Sequence, residues 1–113
     1  IHEDLFYAIK YLKSAALLKH EKAAFLLATI FSNNSNKELQ KIAFNIANIS
    51  ADLNYSEAFE LIGIFYNNGV GVEKNIIMAA IYFRAAADLG IVQSMIRYAD
   101  VLLFIAEKSW RNY

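Results

Sequence analysis

The sequence has 113 residues, 58% hydrophobic and 19% charged, with eleven basic side chains against eleven acidic ones. That is a length for one domain, too apolar for disorder, and too evenly charged for binding driven by phosphate neutralisation, so no nucleic-acid partner is expected. The absence of cysteine excludes disulfides and thiolate chemistry, and the absence of proline suits a mostly helical chain.

Apolar residues recur at helical spacing in six segments, with no sustained alternation of period two. The first predicted helix covers Asp4–Leu18, with Leu5, Ala8, Leu12, Ala15 and Ala16 on one face. The second runs Glu21–Ser32. The third runs Asn36–Leu53, where Ser35 with Glu38 three residues on forms a capping-box pattern. Ser56 is placed to cap the fourth, Glu57–Asn67, and Asn75 the fifth, Ile76–Leu89. The sixth runs Val92–Lys108. Asp52-Leu53-Asn54 and Asp88-Leu89-Gly90 occupy matching places after helices, where Asn or Gly can take the left-handed conformation that ends a helix. The longest strongly apolar run, Val101–Ala106, falls far short of the roughly 20 residues that span a bilayer, so no membrane span is expected. Because the chain starts at Ile1, a native start upstream is expected and no compartment is assigned.

The six segments repeat. Ala8-x-x-Tyr11-x-x-x-Ala15-Ala16 returns as Ala43-x-x-Ile46-x-x-x-Ser50-Ala51 and as Ala79-x-x-Tyr82-x-x-x-Ala86-Ala87. Interleaved with it, Ala23-x-x-x-Leu27-Ala28-x-x-Phe31 returns from Ala58 and from Ser94, at the same offsets of 35 and 36 residues. A fixed period of this size signals stacked supersecondary units. Small residues recur where two helices must approach, with Ala28, Gly63 and Ala99 on one helix type. Phe31, Tyr66, Tyr11, Ile46 and Tyr82 are expected to fill the spaces between pairs. The pattern predicts an all-α fold, an α-solenoid of antiparallel helix pairs with about six helices. Its units are a partial one at 1–19, others at 22–54 and 57–90, a partial one at 92–108, and a tail at 109–113.

Residues 58–90 carry Ala58-x-x-x-Ile62-Gly63-x-x-Tyr66, then Gly69-Val70-Gly71-Val72, Asn75, Ala79, Tyr82-Phe83, Ala86-Ala87 and Gly90. This stretch resembles one complete Sel1-like repeat, a relative of the tetratricopeptide repeat. In residues 22–54 the loop Ser32–Asn36 replaces Gly-x-Gly-Val and is one residue shorter. The resemblance implies an α-solenoid used for protein–protein contact, as scaffold, adaptor or regulator. It also implies a runner-up role, a small inhibitor or immunity-type protein that occludes a bacterial enzyme or toxin.

Candidate chemistry is sparse. Gly69-Val70-Gly71-Val72 lacks the preceding strand and the Lys-Ser/Thr or third glycine of phosphate-cradling loops. Glu57 and Glu60 share a helix face, but in a first turn carboxylates complement the helix dipole, and no histidine lies near them in sequence. His2 lies near the terminus and His20 in a turn, neither within a nucleophile motif. No enzyme activity, cofactor or metal is expected. By analogy with the tetratricopeptide arrangement, residues flanking each first-helix core are expected to line a concave groove for a protein or peptide partner. Those are Lys22, Phe25, Thr29 and Ser32, then Glu57, Glu60, Ile64 and Asn67, then Gln93, Ile96, Asp100 and Leu103. Apolar residues beside acids and amides suit a peptide groove with a polar rim. At the C-terminal end Leu102, Leu103, Phe104 and Ile105 are apolar around the helix with no second helix following. They are expected to meet a second copy in a homodimer through that helix, the Trp110-containing tail folded back, or further repeats.

Overall fold

A computed structural model describes residues 2–111 and contains six helices: α1 His2–Leu17, α2 Glu21–Ser32, α3 Lys37–Asp52, α4 Ser56–Asn68, α5 Ile76–Asp88 and α6 Val92–Arg111. No strand occurs among the described residues. Each helix packs on its chain neighbours: α2 pairs with α3 and α4 with α5 as antiparallel hairpins, and α3 and α5 hand over to the next unit. The radius of gyration is 15.4 Å, against about 13 Å for a compact chain of this length, and the molecule measures 55 × 29 × 21 Å. This is the elongated stack that the repeat period predicts.

Helix ends carry the main local corrections. Asn36, rather than Ser35, caps α3, its Oδ1 accepting from the Glu38 and Leu39 amides at 2.8 and 3.2 Å. Asn34 in turn accepts from the Asn36 amide, and Gln40 donates to the Asn34 carbonyl, so the polar loop locks itself. Ser56 lies inside the first turn of α4. The cap position is Tyr55, which makes no side-chain cap bond. Asn75 caps α5 as the spacing predicts, accepting from the Met78 amide at 3.0 Å, and His20 caps α2 through Nδ1. Asn54 and Gly90 take left-handed backbone angles, φ 68° and 93°, and Lys19 does so at the same place one unit earlier, φ 63°.

The interior is built on alanine. Ala24, Ala28, Ala43, Ala47, Ala58, Ala79 and Ala86 are fully buried, around Ile62, Phe65 and Phe83. Burying each of these three large side chains contributes about 1.5–3 kcal/mol. Gly63 shows why small residues sit at the crossings: a Cβ there would lie 2.6 Å from two ring carbons of Phe83. Ser50, fully buried, has its hydroxyl satisfied by the Glu21 carbonyl at 2.7 Å. α1 departs from the expected core face. Leu12, Ala15 and Ala16 are half-buried, but Leu5, Ala8 and Tyr11 are exposed, because the side of α1 away from α2 has nothing packed on it.

The loop after α4 positions the units. Gly69 and Gly71 both have positive φ, and a Cβ on Gly71 would overlap the Gln40 carbonyl of α3. Backbone therefore packs on backbone there, while Val70 and Val72 reach the main core. Gly71→Ala should lower stability by more than about 2 kcal/mol, combining left-handed strain of about 1–2 kcal/mol with a collision that no rotamer relieves. Lys19→Gly should raise it by about 1 kcal/mol by removing the strain alone. Urea titrations of both variants check the pair of opposite signs.

Candidate functional site

α2 and α4 approach one another directly, whereas no comparable approach joins α4 to α6, α1 to α3 or α3 to α5. None of the twelve residues expected to line a groove is buried. They are not equally free. Lys22, Glu57, Gln93, Ile96, Asp100 and Leu103 are exposed, while Phe25, Thr29, Ser32, Glu60, Ile64 and Asn67 are half-buried. Phe25 packs its ring 5.1 Å from that of Tyr55, and Ile64 packs against the Ala79–Phe83–Val101 cluster. The hydroxyls of Thr29 and Ser32 donate to carbonyls of their own helix, those of Phe25 and Thr29.

Glu60 belongs to a cross-helix network rather than to a free acid pair with Glu57. Its Oε2 accepts from the Ser94 hydroxyl at 2.9 Å and lies 3.5 Å from Arg97 Nε. Ser94 is fully buried, so the carboxylate is what satisfies its hydroxyl. Arg97 Nε is screened from solvent but forms no hydrogen bond, and its contact with Glu60 is an ion pair made by a side chain 40% exposed. The next unit is thus held to α4 by polar chemistry, where α4 is held to α2 by the Phe25–Tyr55 aromatic contact. This network joins residues 34 apart, and the repeat alignment hides it because Phe25 stands at the place of Glu60 one unit earlier.

Two hollows flank these helices. One, of about 570 Å³, lies between the end of α4, the start of α5 and α6, and brings Asn67 and Asp100 beside Lys74, Phe104 and Lys108. The other, of about 390 Å³, opens between α1, α2 and α3 and is walled by Ala24, Leu27, Phe31, Ile42, Ile46 and neighbours. Its cause can be read from repeat-equivalent residues. Where Ala24, Phe31 and Ile46 leave it open, Phe59, Tyr66 and Tyr82 stand one unit later. There Tyr82 stacks on both others, with centroids 6.4 Å from Phe59 and 5.8 Å from Tyr66. Burial pushes the Tyr82 phenol above its ordinary value, with Tyr66 and Asp52 adding to the shift. The substitution of Ala24 for Phe59 at the shared position was the available signal.

The C-terminal end differs from expectation in two respects. Ile105 packs within the chain, against the Ala79–Phe83–Val101 cluster. α6 continues as helix through Arg111, so Trp110 is 79% exposed instead of folding back. Leu102, Leu103 and Phe104 remain exposed. Among the described residues, no three His, Cys, Asp or Glu side chains converge as a metal site, and no helix is long and apolar enough to cross a membrane.

The family model described as Sel1 repeat matches residues 3–20 and 60–91. Among solved structures, the chain is similar to a protective antigen of uropathogenic Escherichia coli with an SLR fold, at 24% identity and a TM-score of 0.78 over 82% of this chain. It is also similar to a Sel1 repeat protein from Oxalobacter formigenes, at 22% identity and a TM-score of 0.73 over 81% of this chain. The chain spans 20% and 38% of the lengths of those two proteins. No curated relative matches it.

Removing the Glu60 carboxylate should strand the buried Ser94 hydroxyl. Glu60→Ala is expected to cost about 1–3 kcal/mol, against under about 1 kcal/mol for Glu38→Ala, which loses only an exposed pair with Lys41. Thermal melts of the two variants compare them. A second test concerns pH. Because the folded state holds the Tyr82 phenol neutral while the unfolded chain ionises near pH ~10, stability should fall as pH rises above that value. Tyr82→Phe should flatten this alkaline loss, read as melting temperature against pH.

Proposed function

We propose that this Sel1-repeat chain is a non-enzymatic module that binds a protein or peptide partner along the inner face of α2, α4 and α6, in a scaffold or adaptor role. The observation that carries the reading is the unbroken solvent access of that face. Twelve positions on three successive first helices all keep accessible surface, whereas the adjacent positions Ala23, Leu27, Ala58, Ile62, Ser94 and Val101 are buried. Apolar Ile96 and Leu103, 51% and 68% exposed, stand among Lys22, Glu57, Gln93 and Asp100. Apolar side chains beside charged and amide groups suit a partner-binding face with a polar rim, and a solenoid sums such contributions along its length.

Phe25 and Ile64 are the anchors a sequence alignment would choose first, but both also support packing, so truncating them mixes binding with stability. Ile96 is the cleaner probe. A photocrosslinking residue at position 96 should capture a partner that the same residue at position 81, exposed on α5, does not. For a captured partner, Ile96→Glu should weaken binding at least tenfold, about 1.4 kcal/mol, with Ile81→Glu unchanged. Equal capture from both positions, or unchanged affinity of Ile96→Glu, removes the inner face from the account.

A further inference from the structure

α1 and α3 are second-type helices, those that close a unit, and they stand on either side of α2. The hollow of about 390 Å³ between them is aliphatic. Ala24, Leu27 and Phe31 of α2 form its buried floor, and Leu17 of α1 with Ile42 and Ile49 of α3 line its sides. Those three side residues are 84%, 44% and 50% exposed, so apolar side chains from two helices share one concave, solvent-facing surface. All three helices that enclose it belong to this chain. One unit later the corresponding space is filled by Phe59, Tyr66 and Tyr82. The hollow therefore comes from side chains, Ala24 in place of Phe59 and Ile46 in place of Tyr82, and not from a missing helix.

Its chemistry narrows what fits. Among the described residues Lys13 is the one polar side chain in the lining, and no acid lines it. An amide or hydroxyl carried into the hollow would find no partner on the floor and would cost binding. That disfavours an extended peptide and favours an unsubstituted hydrocarbon chain. A partner helix is too wide: the hollow holds about a dozen groups the size of a water molecule or a methylene, at ~30 Å³ each, whereas a helix is about 10 Å across. Lys13 supplies the charge preference. It is exposed and forms no ion pair among the described residues, so its ammonium at the mouth complements an anionic head group.

We propose that the hollow between α1, α2 and α3 binds a free medium-chain fatty acid, the alkyl chain lying over Ala24 and Phe31 beside Ile42 and Ile49, and the carboxylate at the Lys13 ammonium. The α2 residues it uses are not those of the partner-binding stripe, so it does not rest on that reading. A chain bound there ties α1 to α3, which otherwise meet mainly through α2.

Calorimetric titration with octanoate, decanoate and dodecanoate, each below its micelle concentration, tests the site. Affinity should rise about fourfold per added methylene until the hollow is full. Ala24→Phe and Ile46→Tyr copy the residues of the next unit into the space, and each should weaken dodecanoate binding at least about tenfold. Circular dichroism checks that both fold, and Ile46→Tyr alone carries the comparison if Ala24→Phe loses helical signal. Lys13→Glu should weaken decanoate about fivefold and leave decanol unchanged, a split that a merely structural effect does not produce. Amide hydrogen exchange in α1 should slow when dodecanoate binds. A parent chain that fails to bind dodecanoate at about 1 mM overturns the proposal. So do filling variants that bind as the parent does, or equal responses of decanoate and decanol to Lys13→Glu. Self-association of the parent that the filling variants abolish, with no dodecanoate bound, gives the hollow to a second copy and overturns it as well.

Discussion

Close approach of helices at small residues is the constraint on which this molecule depends. Where α4 crosses α5, there is no room between Gly63 and the Phe83 ring for one additional carbon. The same economy runs through the stack, since most of the fully buried positions are alanines. Alanine and glycine bury little area each, so their contribution is geometric. They set an interhelix distance at which the few large side chains, Ile62, Phe65 and Phe83, make contact on all sides. Widening any crossing would cost dispersion contacts along the whole helix pair rather than at one site.

Against that uniform frame, the junctions between units are chemically individual. α2 meets α4 through Phe25 and Tyr55, whereas α4 meets α6 through Glu60, Ser94 and Arg97. One space between second-type helices is filled by Phe59, Tyr66 and Tyr82, and the equivalent space one unit earlier is a hollow lined by aliphatic side chains. A repeat tolerates this variation because each junction has to satisfy only its two neighbours. Individual character on the surface can therefore change without disturbing the period beneath it.

Helix positions, the small-residue crossings and the left-handed ends at Asn54 and Gly90 were legible in the sequence, because each follows from spacing or from a residue's own conformational preference. What escaped shows where such reasoning stops. Ser35 and Asn36 are equally able to cap a helix, and the choice fell to Asn36 because the loop around Asn34 and Gln40 closes on itself. Lys19 has no taste for positive φ, and it adopts 63° because the repeat geometry requires it there. Among the twelve groove candidates, the spacing could not separate the free residues from those engaged. Glu60 looked like half of an acid pair with Glu57, and its true partners come from a helix 34 residues further on.

The buried side chains form two groups, a large one spanning α2, α3 and α4 and a small one of Ala79, Phe83 and Val101, with Tyr66 packed against both and no buried residue among those described in α1. A tensile load along the long axis would therefore not be shared evenly. α1, which rests on α2 alone with one face uncovered, is the softer element in series and would peel away first. The α4–α5 pair, joined by the Gly63–Phe83 crossing and by Tyr82 stacked on Phe59 and Tyr66, would hold its shape while it did. Such a molecule yields from one end like a frayed rope, and its compliance is set by which residues cross a single junction rather than by its total stability.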